Sequence, residues 1–337
     1  MVDPLADPLA QPSAEPFADP AVNRRGILAT LTAVVLWTCN DTCGKLATEV
    51  FPTGEMMAIR GVFAIAIAIG LVLATGHGRI FWQRAHLFLR PMILLRALLD
   101  SVVVLTFLKA LAHMQLADVT AISQATPIIM TLLAAAFGLE RIGWRRFLAI
   151  LVGFSGVILV VKPSANGLTA YATLAIVSAA LVAVRDLLTR YIDPAIPSPV
   201  IALMTAIAGA FTGVLLGMTE EWKPAFVGAS AYLILAGILV TLGNLSIVVA
   251  YRKAEVGVIA PFRYFSIVTA LLLGYLVFSS LPDAVSIMGI LLIIASGVYT
   301  MHRERVRRRE AAEASTPRGA QRPATLPKNT STAWTTR

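Results

Sequence analysis

Apolar residues run along this chain in ten long blocks, separated by short stretches of Gly, Pro and charged residues. The blocks lie at approximately 26–47, 56–75, 92–112, 117–138, 144–162, 168–188, 197–217, 228–250, 256–278 and 283–301. Each reaches or approaches the ~20 helical residues needed to cross the hydrocarbon of a bilayer. The pattern therefore predicts an all-α integral membrane protein with ten transmembrane helices. Ten is even, so both termini lie on one side.

The connections between blocks alternate in charge. One set holds Arg24 and Arg25, then Arg79, Arg84 and Arg90, then Arg141, Arg145 and Arg146, then Arg190, then Arg252 and Lys253, then the cluster from Arg303 to Arg309. The intervening set holds only Lys162 and Lys223. Basic connections stay in the cytoplasm, which predicts a multi-pass membrane protein with N- and C-termini cytoplasmic. An odd number of missed helices would have broken the alternation, so the agreement supports the count as well.

A second periodicity is longer. The stretch from Ala110 through Gly156, with LADVTAISQATP and GFSGVILVV, parallels Ala250 through Gly297, with VGVIAPFRYFS and IIASGVYTM. Earlier, LWTCNDTCGKLATEVFP parallels LVAVRDLLTRYIDPAIP. The chain thus divides into residues 25–162 (helices 1–5) and 168–302 (helices 6–10). Five crossings reverse direction, so the halves are inverted repeats, the arrangement from which alternating access follows.

Composition agrees: 57% of the 337 residues are hydrophobic and 14% charged, with a mean hydropathy of +0.77, beyond what a water-soluble core requires. The formal charge of +9 is not spread as a nucleic-acid-binding face would be, so no nucleic acid partner is expected. Residues 1–22 carry four acids and no base, while residues 303–337 carry nine bases and three acids. In the first of these tails Pro4, Pro8, Pro12, Pro16 and Pro20 remove a backbone donor from each would-be turn, which predicts disorder. No basic region followed by a short apolar run and cleavage site is present, so no cleavable signal peptide is expected. The basic, polar second tail is expected in the cytoplasm beside anionic lipid. Cys39 and Cys43 share a helix face without disulfide geometry. Four scattered histidines show no metal-ligand spacing, and no catalytic constellation is recognisable. Neither an enzyme, a metal nor a cofactor is expected.

Polar groups at hydrocarbon depth are costly and so mark candidate function. Asn40 and Asp41 in the first helix approach Arg60 in the second, where an Asp41–Arg60 pair would serve as a structural bridge or a substrate contact. Arg185 and Asp186 stand in the sixth, with Asp186 superposed on Asp41 by the repeat; they either gate or snorkel to the headgroups. Asp100, in the middle of the third helix, is either protonated or paired with a cation and is a candidate for proton coupling. Pro261, Phe262, Arg263 and Tyr264 interrupt the ninth helix, and Ser123, Gln124 and Pro127 occupy the matching place in the fourth. Helices 1, 4, 6 and 9 are thus expected to line the substrate pathway.

WTCNDTCGK, FPTGEMMAIR and LADVTAISQATPIIMTLLAAAFGLERIGWRRFLAILVGFSGVILVV, with APFRYFSIVTALLLGYLVFSSLPDAVSIMGILLIIASGVYTMHRE, resemble the drug/metabolite transporter superfamily, in the group with two EamA domains. The resemblance covers roughly residues 25–302 and implies a bacterial inner-membrane carrier with a cavity lined by both halves. Glu140 fits the Gly-Glu ending of the fourth helix, whereas Ser279 and Ser280 replace it in the second domain. The arginine-bearing second helix and the PFRY segment look most similar to the branch of riboflavin and S-adenosylmethionine carriers. That likeness implies riboflavin uptake, with Trp37, Phe262 or Tyr264 stacking on the ring and Arg263 or Asn40 meeting its polar edge. An S-adenosylmethionine carrier, an exporter of amino acids or other metabolites, and a non-transporting membrane sensor or scaffold are the alternatives. The expected partners are a small-molecule substrate and the lipid bilayer, and a homodimer is compatible with the sequence.

Overall fold

A computed structural model describes residues 20–74, 90–138, 143–163, 169–189, 192, 196, 198–224, 228–253 and 259–315. The first half comprises α1 (Pro20–Thr48), α2 (Thr53–Ala74), α3 (Pro91–His113), α4 (Leu116–Ser123), α5 (Thr126–Ala136) and α6 (Trp144–Val161). The second comprises α7 (Ala170–Thr189), α8 (Ser198–Gly217), α9 (Ser230–Lys253), a 3-10 segment (Ala260–Tyr264), α10 (Phe265–Phe278) and α11 (Ala284–Ser315). Among the described residues nine spans are long and apolar enough to cross a membrane, counting α4 with α5 and the 3-10 segment with α10. The tenth, α6, has a shorter apolar core, Phe147–Val161. At ~1.5 Å per residue its 18 residues reach about 27 Å, close to the thickness of the hydrocarbon. Each predicted block therefore coincides with an observed helix or helix pair.

Two edges differ from expectation. α11 does not stop near Met301 but continues to Ser315, because the intervening residues are strong helix formers with no Gly or Pro among them. α1 begins at Pro20, inside the proline-rich tail; residues 1–19 lie outside the described residues.

The proline positions act as anticipated, with one compensating detail. Pro127 has no N–H to give the carbonyl of Ser123, and the Thr126 hydroxyl donates to that carbonyl instead, at 2.7 Å. The fourth span breaks there with that carbonyl still paired. Its counterpart breaks at Pro261, where the backbone winds as a 3-10 segment before α10. α5 is followed by Gly138 at φ 70° and α10 by Ser279 at φ 49°, so both spans end on a left-handed residue. In the second half Ser279 N–H and Ser280 N–H take up the carbonyls of Tyr275 and Gly274.

The principal helix pairings are unchanged when the halves are exchanged. α2 packs on α8 and α6 on α11; α1 packs on α9 as α7 packs on α3; α3 meets α8 as α9 meets α2; and α4 meets α10. Since each half crosses five times, this exchange inverts the direction of every helix.

The tightest crossings use small residues. Added Cβ atoms would meet Gly217 N at 2.6 Å from Gly54, Ala210 Cα at 2.7 Å from Gly61, and Ala58 N at 2.4 Å from Gly213. α2 and α8 therefore run backbone against backbone, the contact by which helices associate in lipid. On the outer surface of α6, Phe147, Leu148, Leu151, Phe154 and Ile158 are exposed at helical spacing, which presents an apolar stripe to the acyl chains. Most hydroxyls at this depth serve their own helix: Thr30, Thr38, Thr42, Ser101, Thr120 and Thr269 each donate to a carbonyl four residues back.

Candidate substrate cavity

The polar side chains left over converge on two cavities. The larger, about 510 Å³, is walled by α2, α3, α7, α8 and α9, hence by both halves. Arg60, Arg96, Asp100, Ser101, Arg185, Thr189, Thr205 and Asn244 supply its polar lining. The smaller, about 120 Å³, lies among α1, α3, α4, the 3-10 segment and α10. Trp37, Thr38, Asp41, Ser123, Gln124 and Arg263 line it. The indole N–H of Trp37, from the smaller cavity, donates to Asn244 Oδ1 of the larger at 3.1 Å. Gly243 permits this contact, because a Cβ there would sit 2.7 Å from the Trp37 ring.

Asp100 is not a lone carboxyl. Arg185 reaches across from α7 to pair with it through Nη1, and the same guanidinium holds Asp186 through Nη2 at 2.8 Å. The snorkelling alternative for Arg185 and Asp186 is thereby corrected: the guanidinium turns sideways into the protein, because a carboxylate one helix away offers a stronger partner than the headgroup region. Asp186 is not among the lining residues; it braces Arg185 from behind. Arg96 is held by neutral groups, Nε donating to Thr189 Oγ1 and Nη1 to Thr205 Oγ1, each at 2.9 Å.

The expected Asp41–Arg60 pair is also revised. Among the described residues the two make no ion pair within 4 Å, although Arg60 lies in the electrostatic field of both Asp41 and Asp100. The direct partner of Asp41 is Asn40, whose amide donates to Oδ1 at 2.9 Å. Asn40 is itself buried and stands behind the cavity wall.

The pseudosymmetric breaks do meet. Gln124 Nε2 donates to the backbone carbonyl of Arg263 at 2.7 Å, so the interruption in the fourth span is bonded to the one in the ninth. Tyr264 is a packing residue, buried against Gly297, whose missing side chain leaves room for the phenol. Pro127, Pro261 and Phe262 shape the breaks and line neither cavity. Glu140 lies outside the described residues. Helices 1, 3, 4 and 9 thus line the smaller cavity, while the larger one draws on helices 2, 3, 6, 7 and 8. Arg96, Thr205 and Asn244 were missed; an arginine four residues before Asp100 was the one available signal.

The two ends of the bundle differ. At the end that holds the α1–α2, α8–α9 and α10–α11 connections, the halves are tied together. Gly54 N–H donates to Glu220 at 2.8 Å and Lys223 N–H to Glu55 at 2.9 Å. Lys162 pairs with Asp283 at 2.5 Å, and His113 stacks on Tyr171 with centroids 3.7 Å apart. The lining of the larger cavity extends the other way, from Met57 and Arg60 in the first turns of α2 to Thr189 in the last turn of α7.

Residues 24–162 match the EamA-like transporter family. The chain is similar to the pseudopaline exporter CntI of Pseudomonas aeruginosa, at 26% identity over 81% of this chain and 94% of that one. It is similar to the riboflavin transporter of Brucella anthropi, at 28% over 72% and 86%. It is similar to the S-adenosylmethionine uptake transporter of Rickettsia bellii, at 23% over 83% and 94%. A solved crystal structure shares the fold with a TM-score of 0.56 and 18% identity, covering 85% of this chain and 98% of its own. With its ten-span architecture and these matches, the chain is a membrane transporter whose residues 24–162 match the EamA-like transporter family.

Proposed function

We propose that the protein is a secondary carrier of a small organic metabolite across the bacterial inner membrane, working by alternating access between its two halves. The observation that carries this reading is the larger cavity: it is built from both halves, holds a metabolite-sized volume, and gathers four charged side chains at hydrocarbon depth. The exchange-symmetric helix pairing supports it, because each half can adopt the packing of the other. Loop charge supports an orientation with the basic connections and both termini in the cytoplasm. In that orientation the tied end is periplasmic, and the conformation is inward-facing.

Riboflavin and S-adenosylmethionine are the first solutes to assay, on the names of the relatives. The aromatic residues expected to stack on a flavin do not line the larger cavity: Trp37 lines the smaller one and Tyr264 is packed away. The test is uptake of each radiolabelled solute into proteoliposomes of the purified protein, with and without a proton gradient, over a wider metabolite panel. Flux above empty liposomes that Asp100→Asn abolishes is expected. Absence of any protein-dependent flux, together with loss of a cellular phenotype on tail deletion, would favour a sensor or scaffold instead.

A further inference from the structure

The charges of the larger cavity are unequally matched. Both carboxylates in direct contact with a cavity guanidinium, Asp100 and Asp186, serve the same one, Arg185. Arg96 is oriented by the two hydroxyls of Thr189 and Thr205, which satisfy donors without balancing charge. Arg60 has no hydrogen bond or ion pair among the described residues. Among the described residues, two guanidiniums therefore face one cavity without a contacting counter-charge, in surroundings where an unmatched charge is expensive.

We propose that the larger cavity selects a solute bearing a carboxylate, which Arg60 and Arg96 receive as its counter-charges. A planar guanidinium suits a planar carboxylate through paired N–H donors. Thr189 and Thr205 fix the Arg96 plane before the solute arrives, which lowers the ordering cost of binding. Asp41 and Asp100 act on Arg60, and Asp100 and Asp186 on Arg96, through the field alone. Their partial offset suits one negative charge better than a doubly charged phosphate. The inference rests on the carrier reading and ranks carboxylate-bearing solutes, S-adenosylmethionine among them, ahead of neutral riboflavin.

The test uses full-length protein in proteoliposomes and matched pairs of labelled solutes. These are S-adenosylmethionine with its decarboxylated form, and the common amino acids with their amides, with riboflavin as a neutral ring. At least one carboxylate should be transported, with its partner lacking the carboxylate at least tenfold weaker. Arg96→Gln and Arg60→Gln should each erase that preference. Arg96→Lys should keep part of it, and Thr205→Val, which retains every charge, should raise KM several-fold with little change in kcat. Size-exclusion profiles in detergent separate misfolded variants from folded ones. Transport of riboflavin or amides with Arg96→Gln unaffected would overturn the carboxylate assignment while leaving the carrier intact. Failure of every solute to move would count against the carrier reading itself.

Discussion

Gly156 of α6 and Gly289 of α11 oppose each other across the two halves, each placed so that a Cβ would lie 2.6 Å from the other's carbonyl oxygen. Backbone cannot step aside as a flexible side chain can. An alanine at either position gains up to ~1 kcal/mol in helix propensity but forces the helices apart, at a cost of ~1–3 kcal/mol or more. Gly156→Ala and Gly289→Ala should therefore lower the thermal midpoint in detergent. Gly70→Ala on α2, where nothing lies within 4 Å, should leave it unchanged or raise it. Equal effects at the three sites would contradict the packing.

The Asp100–Arg185 pair makes a separate prediction. Asp100→Asn and Arg185→Gln should each lower transport at least tenfold, and each should cost about 1–3 kcal/mol of stability, since both groups keep some solvent access. The double variant should be less destabilised than the sum of the singles. A double-mutant cycle by denaturant unfolding measures this coupling, and strict additivity would argue that the pair does not act as a unit.

Gln124 couples the two helix breaks through the Arg263 carbonyl. Replacing its amide donor with a carboxylate, in Gln124→Glu, sets acceptor against acceptor. Transport should fall about tenfold or more while Gln124→Asn or Gln124→Ala leaves the thermal midpoint within a few degrees. A large loss of stability without loss of transport would assign the bond to folding alone.

Asp283 offers a pH readout outside the membrane spans. Its carboxyl is held down to about 2, chiefly by the hydrogen bond from Lys162 and then by Ser286 N–H at the start of α11. A carboxyl with a lowered folded value contributes stability above its unfolded value near 4, and that contribution is lost as pH falls toward 2. The midpoint difference between wild type and Asp283→Asn should hold from pH 7 to about 5 and close between pH 4 and 2. A difference independent of pH would mean that the ionised carboxylate is not the stabilising form.

Much of the fold was legible because hydrocarbon imposes a strict rule: each crossing needs a long apolar helix, and each proline in it needs compensation. The ten blocks and the breaks at Pro127 and Pro261 are properties of single segments, the 140-residue repeat is a relation in covalent order, and each is seen in the structure. The extension of α11 to Ser315 is not visible in hydropathy, because the charged residues after Met301 end the apolar run without ending the helix. The site was less legible. Arg185 reads locally as a residue near a helix end, and only the packing of α7 on α3 brings it to Asp100.

The sequence by itself determined how many helices cross, where they bend and that the halves are inverted, because local hydropathy and covalent order carry that information. Which charges become partners was decided only by tertiary structure. Asp100 with Arg185, Arg96 with Thr189 and Thr205, and Trp37 with Asn244 lie 85 to 207 residues apart, and small residues at the helix crossings set how closely their backbones approach.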